Sequence, residues 1–150
     1  MAHTYTSLLY HVIFSTKDRR PFLDAESRAR LFPYLGGIVR ELAGVPLGIN
    51  GPADHVHILA SLPPTIGVAE FVGKMKANSS GWIRKTLPNQ RLFQWQVGYA
   101  AFSVSVSQKP KVVAYVANQE KHHRKISFQE EYIGFLKKHG IAYDERYVFD

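Results

Sequence analysis

Two short stretches of this chain hold residue types that can do chemistry. The first is Asp54-His55-Val56-His57-Ile58-Leu59. Side chains alternate along a strand, so His55 and His57 point one way while Val56 and Ile58 point the other. Two imidazoles on one face, one pleat apart, can share a metal ion. The same spacing also fits two histidines on the polar face of a half-buried strand. The second stretch is Tyr115-Val116-Ala117-Asn118-Gln119, followed by His122-His123. On one continuous helix Tyr115 and Gln119 are i and i+4, and His122 continues their face. The alternative is a tyrosine at a helix–sheet boundary beside a solvated glutamine. Taken together, the two stretches fit one chemistry. Two imidazoles and a neutral amide oxygen suit Mg²⁺ or Mn²⁺, and such an ion polarises a phosphodiester oxygen. A tyrosine one turn from the amide ligand is then a candidate nucleophile.

The pattern of elements follows from what must hold these residues. Thr4 to Ser15 is rich in β-branched and aromatic residues and predicts a strand. Asp24 reads as the N-cap of a helix carrying Leu31, Leu35, Ile38, Val39 and Leu42, with Gly44 as its stop. Pro33 inside that helix predicts a kink or a late start. Val45 to Asn50 and Asp54 to Leu62 read as paired strands. Thr65 to Leu87 carries a helical stripe of Val68, Phe71, Val72, Met75, Ser79, Trp82 and Ile83, and Gln94 to Val106 reads as a strand. Pro110 opens a helix expected to run to about His123. Ser127 with Glu130 three residues on is a capping box for a last helix, ending near Gly140, and the apolar tail is expected to pack on the body. The order β-α-β-β-α-β followed by helices predicts an α+β, ferredoxin-like (RRM-like) split β-α-β fold. Its antiparallel sheet carries helices on one face, plus a C-terminal helix that holds Tyr115, the candidate nucleophile.

The chain has 150 residues and no cysteine, which predicts one domain over 1–150. Disulfides, thiolate metal sites and thiol catalysis are excluded. With 45% hydrophobic and 21% charged residues it has the composition of a globular protein. Lys and Arg exceed Asp and Glu by 19 to 12, a formal charge of +7, which favours a polyanionic partner. The cations fall into groups: Lys17, Arg19 and Arg20; Lys74 and Lys76; Arg84, Lys85 and Arg91; Lys121, Arg124 and Lys125. Of these Arg19, Arg20, Lys74, Lys76, Arg84 and Lys85 are the candidate phosphate contacts of a nucleic-acid partner. Most aromatic residues read as core, with Phe93 and Trp95 the candidates for base stacking. The opening segment has no basic stretch before a long apolar run, and no stretch nears the ~20 residues of a membrane span. A soluble, cytoplasmic protein with no membrane partner is expected.

The motif PADHVHILASL, then GYAAFSVS, then YVANQEKHH with SFQEEY, resembles the HUH single-tyrosine transposases of the insertion sequence 200/605 group. HVIFSTKDRRPFL and GGIVRELAG extend the resemblance from about His11 to Tyr147. It implies that His55 and His57 are paired metal ligands, that Gln119 is the third and that Tyr115 is the nucleophile. It implies Mg²⁺ or Mn²⁺ as the cofactor and a homodimer in which the tyrosine helix often serves the partner subunit. The implied partner is single-stranded DNA with hairpins, cut at element ends through a 5′-phosphotyrosine, in a bacterial or archaeal cytoplasm at the nucleoid. His122 and His123 are accessory candidates that could lean on the metal, contact phosphate or cap the helix. Three alternatives remain at this stage. One is a domesticated relative nicking repeated palindromes. Another is a non-catalytic single-stranded nucleic-acid-binding module of the same fold. The third is a metal phosphodiesterase that uses water.

Overall fold

The computed structural model describes residues 3–150. Four strands, β1 (Leu9–Ser15), β2 (Val45–Asn50), β3 (His55–Ser61) and β4 (Ala100–Val104), form one antiparallel sheet in the order β2-β3-β1-β4. With α1 (Ala25–Glu41) after β1 and α2 (Val68–Thr86) after β3, this is the expected split β-α-β fold.

The two faces of the sheet have separate cores. Even-numbered residues of β1 and β3 (Val12, Phe14, Val56, Ile58 and Ala60) face α1 and α2, where they meet Leu31, Leu35, Val39, Phe71, Val72 and Met75. Fully burying each such side chain contributes about 1.5–3 kcal/mol. On the other face Ile13, Ala100 and Phe102 meet Phe128, Tyr132 and Leu136 of the last helix, α5 (Phe128–Lys138). The apolar tail joins this second core through Tyr143, Val148 and Phe149. The odd-numbered polar residues of β1 and β3, among them His11, His55 and His57, therefore lie under the C-terminal helices, away from α1 and α2.

Local signals explain most boundaries. Asp24 caps α1, its Oδ1 accepting from the Ser27 N–H at 2.8 Å. Helix α1 runs through Pro33, and both Pro33 and Ala29, the residue whose carbonyl loses its helical donor there, are exposed to solvent. Gly44 is not the left-handed stop: Ala43 takes that conformation, at φ 63°. Gly44 instead lies against the sheet, where a Cβ would come within 3.0 Å of the Ser61 carbonyl oxygen. Ser127 and Glu130 form the full capping box of α5.

Two segments differ from expectation. The strand expected over 94–106 shortens to Ala100–Val104, with Trp95 making only an isolated bridge to Thr16. Phe93 and Trp95 are buried in the α1/α2 core and pack edge-to-face at 4.8 Å, so neither offers a ring to an unpaired base. The helix expected from Pro110 to His123 is two: α3 (Lys109–Ala117) and the four-residue α4 (Gln119–His122). They break at Asn118 (φ −102°, ψ 21°). Asn50 at the end of β2 supplies the reason. Its Nδ2 donates to the carbonyls of Val116 at 3.0 Å and Ala117 at 3.1 Å, satisfying acceptors that a helix end leaves free.

Candidate active site

Residues 51–57 set the first part of the site. A Cβ on Gly51 would overlap the carbonyl oxygen of His55, so only glycine lets the turn after β2 approach β3 this closely. His55 and His57 then leave β3 on the same face, both fully buried. His11 of β1 is the diagonal neighbour of His57, since Ile13 pairs with His57 and His11 with Leu59. The His11 Nε2 lies 2.8 Å from His57 Nδ1. From the position just before β3, Asp54 Oδ1 lies 2.7 Å from His55 Nδ1.

The C-terminal helices close the site. Asn50 and the packing of Val116 on Gly48 hold α3 against β2, which points Tyr115 towards the imidazoles; the Tyr115 and His57 ring centroids are 5.8 Å apart. Glu131 enters from α5, its side chain 1% exposed. One carboxylate oxygen, Oε1, lies 2.9 Å from His57 Nε2, 3.0 Å from His123 Nε2 and 3.2 Å from His55 Nε2. The other oxygen, Oε2, accepts the hydroxyl hydrogen of Tyr115 and lies 3.3 Å from His122 Nε2. His122 Nε2 is also 3.0 Å from the Tyr115 hydroxyl.

This donor set fits a divalent cation. His55, His57, His123 and Glu131 each offer a ligand atom, all within 4.8 Å of one another. The Nδ1 of His55 is bonded to Asp54, that of His123 to the Ile126 carbonyl and that of His57 to His11, so all three turn Nε2 to the same point. The Nε2 atoms of His55 and His123 are only 3.0 Å apart. Nitrogens at that separation suit ligands sharing one ion through bonds of about 2.1 Å. Gln119 is fully buried and its Oε1 accepts no hydrogen bond, while its Nε2 donates to the Tyr115 carbonyl at 3.3 Å. A buried, unpartnered amide oxygen is itself a feature a hard cation would satisfy.

Electrostatics follow from burial and from the carboxylate. Burial opposes charge on His55, but Asp54 and Glu131 outweigh it and raise its pKa. Burial dominates at His57, lowered to about 4, and at His11, lowered to about 3 with the help of His57. Burial also opposes the charge of Glu131, yet hydrogen bonds from His123, His55 and His57 hold it well below the usual carboxylate range. Burial and then Glu131 push the Tyr115 hydroxyl far above the usual phenol range.

The family model for "Transposase IS200 like" matches residues 4–119, a span that includes the histidine pair, Tyr115 and Gln119. The chain belongs to the IS200-like transposase family. Transposases for insertion sequence element IS200 from Salmonella typhimurium and Salmonella typhi are each 34% identical to this IS200-like chain over 84 residues, 53% of the chain and 53% of the relative. The match thus spans about half the length of these curated relatives. Among solved structures, a candidate transposase from Deinococcus radiodurans R1 superposes with a TM-score of 0.63 at 23% identity, covering 79% of this chain and 96% of that one. A REP-associated tyrosine transposase bound to a REP hairpin gives 0.60 at 14% identity, covering 82% and 73%. Both share the fold.

In this IS200-like chain His55, His57, Tyr115, His122 and His123 converge at one place. Gln119 sits beneath Tyr115, with no hydrogen bond to the imidazoles. The candidate DNA cations do not converge there. Lys74, Lys76, Arg84 and Lys85 belong to α2, across the sheet from the histidines. Lys74 pairs with Glu70 at 3.1 Å, and Arg84 donates to the Phe93 carbonyl at 3.2 Å. Lys76 donates to the carbonyls of Gln96, Val97 and Gly98, with burial lowering its pKa to about 8. Arg19 stacks over Phe149 at 5.1 Å, and Arg20 lies exposed just beyond the turn that holds it. Sequence reasoning missed His11, Asn50 and Glu131. Glu131 left a trace: it lies three residues after Phe128 and four before Phe135, a carboxylate on an apolar stripe. Among the described residues, no helix is long and apolar enough to cross a membrane.

Proposed function

We propose that this chain cleaves and rejoins single-stranded DNA through a transient 5′-phosphotyrosine at Tyr115. The supporting observation is that one carboxylate, Glu131, joins the Tyr115 hydroxyl to the three imidazoles. A nucleophilic oxygen and a cation-type donor set therefore sit one side chain apart. His55, His57 and Gln119 would hold Mg²⁺ or Mn²⁺, with His123 and Glu131 beside them, and the ion would supply Lewis-acid polarisation of a phosphate oxygen. Asp54 and His11 fix the orientation of the paired histidines. Tyr115 Oη attacks phosphorus: the O–P bond forms, the P–O3′ bond breaks and the leaving oxygen takes up a proton as a free 3′-hydroxyl. The phenolic proton is already directed at Glu131 Oε2. Attack of a 3′-hydroxyl on the phosphotyrosine reverses the step, so joining needs no external energy source.

The proposal carries forward hairpin-bearing DNA as partner and a homodimer in which two such sites act on two ends. In this chain Tyr115 lies beside the histidine pair, its ring centroid 5.8 Å from that of His57. A purely binding module has no need of the four residues together, and a water-using phosphodiesterase leaves the Tyr115 orientation without a purpose.

The test is incubation with single-stranded DNA carrying the flanking genomic hairpin and Mn²⁺, followed by denaturing electrophoresis. A protein–DNA adduct that survives denaturant is expected from wild type and not from Tyr115→Phe. Cleavage by the phenylalanine variant would remove Tyr115 as the nucleophile.

A further inference from the structure

A cleft of about 510 Å³ opens between α3 and α5, beginning at Tyr115 and Glu131 on the side away from the three imidazoles. That is within the range of small-ligand sites. Its walls include Val112 of α3 and Phe135 of α5, both partly exposed. Lys111 and Lys138 stand at its rim and form no ion pair among the described residues. The remaining acid here, Glu130, is turned to Ser127 in the capping box. Gly134 leaves the α5 side bare, since a Cβ there would meet nothing within 4 Å. A second hollow shares Val112, Phe135 and Lys138 and continues towards β4, where Phe102 stacks on Phe135 at 5.3 Å.

Apolar and aromatic walls under a cationic rim suit a nucleobase with phosphates on either side. We infer that this cleft seats the nucleotide immediately 3′ of the cut, its base against Val112 and Phe135 and its next phosphate at Lys111 and Lys138. The polarity comes from the chemistry and rests on the phosphotyrosine reading above. In an in-line displacement the departing 3′-oxygen lies opposite the attacking tyrosine, whereas the 5′-oxygen stays beside it on phosphorus. The nucleoside next to Tyr115 is thus the one that remains joined to the protein. The groove beyond gives the following nucleotide a path along α5.

The probes are the four deoxynucleoside 3′,5′-bisphosphates, with 2-deoxyribose 3,5-bisphosphate as the base-free control and the 5′-monophosphates, which lack the phosphate placed at Lys111 and Lys138, as the second control. Binding is followed by titration calorimetry and ligand-observed NMR in Mg²⁺. At least one bisphosphate should bind wild type several-fold more tightly than the base-free control and than its own 5′-monophosphate. Gly134→Leu, which fills the cleft with a better helix former, should lower that affinity at least tenfold. Its circular dichroism melt and Mn²⁺ affinity should stay unchanged. Equal binding of the base-free control, no loss on removing the 3′-phosphate, or an unaffected Gly134→Leu variant would each overturn the inference. The control comparison needs only wild-type protein, so it stands even if the variant misfolds. Nucleotide binding at Gly134 without any DNA adduct would keep the cleft and reject the phosphotyrosine. An adduct formed equally well by Gly134→Leu, with unchanged nucleotide affinity, would do the reverse.

Discussion

The Tyr115 hydroxyl donates to Oε2 of Glu131, while Oε1 of the same carboxylate lies 2.9 Å from His57 Nε2. Tyrosine and histidine come from elements on opposite sides of this contact, α3 and β3, and the carboxylate from a third, α5. A single buried group therefore sets the spacing between the nucleophile and the cation-type donors.

Replacing that group should be felt in two ways. Glu131→Gln keeps the shape but loses the charge-assisted hydrogen bonds to three imidazoles, at a cost of about 1–3 kcal/mol in stability. Without the carboxylate the donor set should also hold Mn²⁺ about 10–100-fold more weakly. Urea denaturation and manganese titration by electron paramagnetic resonance measure the two effects, and wild-type values in both would deny Glu131 this place.

Metal affinity should depend on pH through His55. A ligating imidazole must be unprotonated, and Asp54 and Glu131 raise the pKa of His55 against its burial. As pH falls through that raised pKa the cation must displace a proton, so Mn²⁺ binding weakens by up to about tenfold per pH unit. His57, lowered to about 4, adds no competition in the neutral range. Calorimetry in buffers of different ionisation enthalpy should find proton release on Mn²⁺ binding that grows as pH falls. A flat profile contradicts the assignment.

Tyr115 should stay protonated in metal-free protein where ordinary tyrosines titrate, near pH 10. Burial raises its pKa and the Glu131 anion raises it further. In chelator, the phenolate absorbance of wild type and of Tyr115→Phe should coincide through that range. Glu131→Gln removes an anion, which favours phenolate, so the Tyr115 titration should move down towards the ordinary range while burial still holds it above. A wild-type signal lost in Tyr115→Phe would show the hydroxyl to be unshielded.

Asn50 should position Tyr115 without joining the chemistry. Its two bonds to the Val116 and Ala117 carbonyls end α3 two residues after the tyrosine. Asn50→Ala should cost about 1 kcal/mol, leave Mn²⁺ affinity intact and slow adduct formation. Loss of stability with full adduct yield would reduce Asn50 to a structural clamp.

Features with a short period were legible in the sequence. The two-residue alternation of His55-Val56-His57 put both imidazoles on one face, and the cap signals at Asp24 and Ser127 marked two helix starts. The i,i+4 reading of Tyr115 and Gln119 was only half sound. Their spacing survives, but the helix breaks at Asn118 because Asn50 takes its last carbonyls, and Asn50 lies far back in the chain. The cations of α2 show the opposite limit. Their count was readable, but the face of the sheet they would occupy was not, because that depends on which core α2 joins.

By itself, then, the sequence determined the alternating β-α-β-β-α-β order, the charge excess and the paired histidines, all of which follow from local periodicity and composition. The tertiary structure decided that Glu131 meets His57 across 74 residues, that His11 lies diagonal to it and that Lys111 and Lys138, rather than the α2 lysines, border the tyrosine. Those contacts depend on strand register and on which face α5 covers. Burial of Phe128, Tyr132 and Leu136 against Ile13, Ala100 and Phe102 settles that choice, and carries Glu131 in with them.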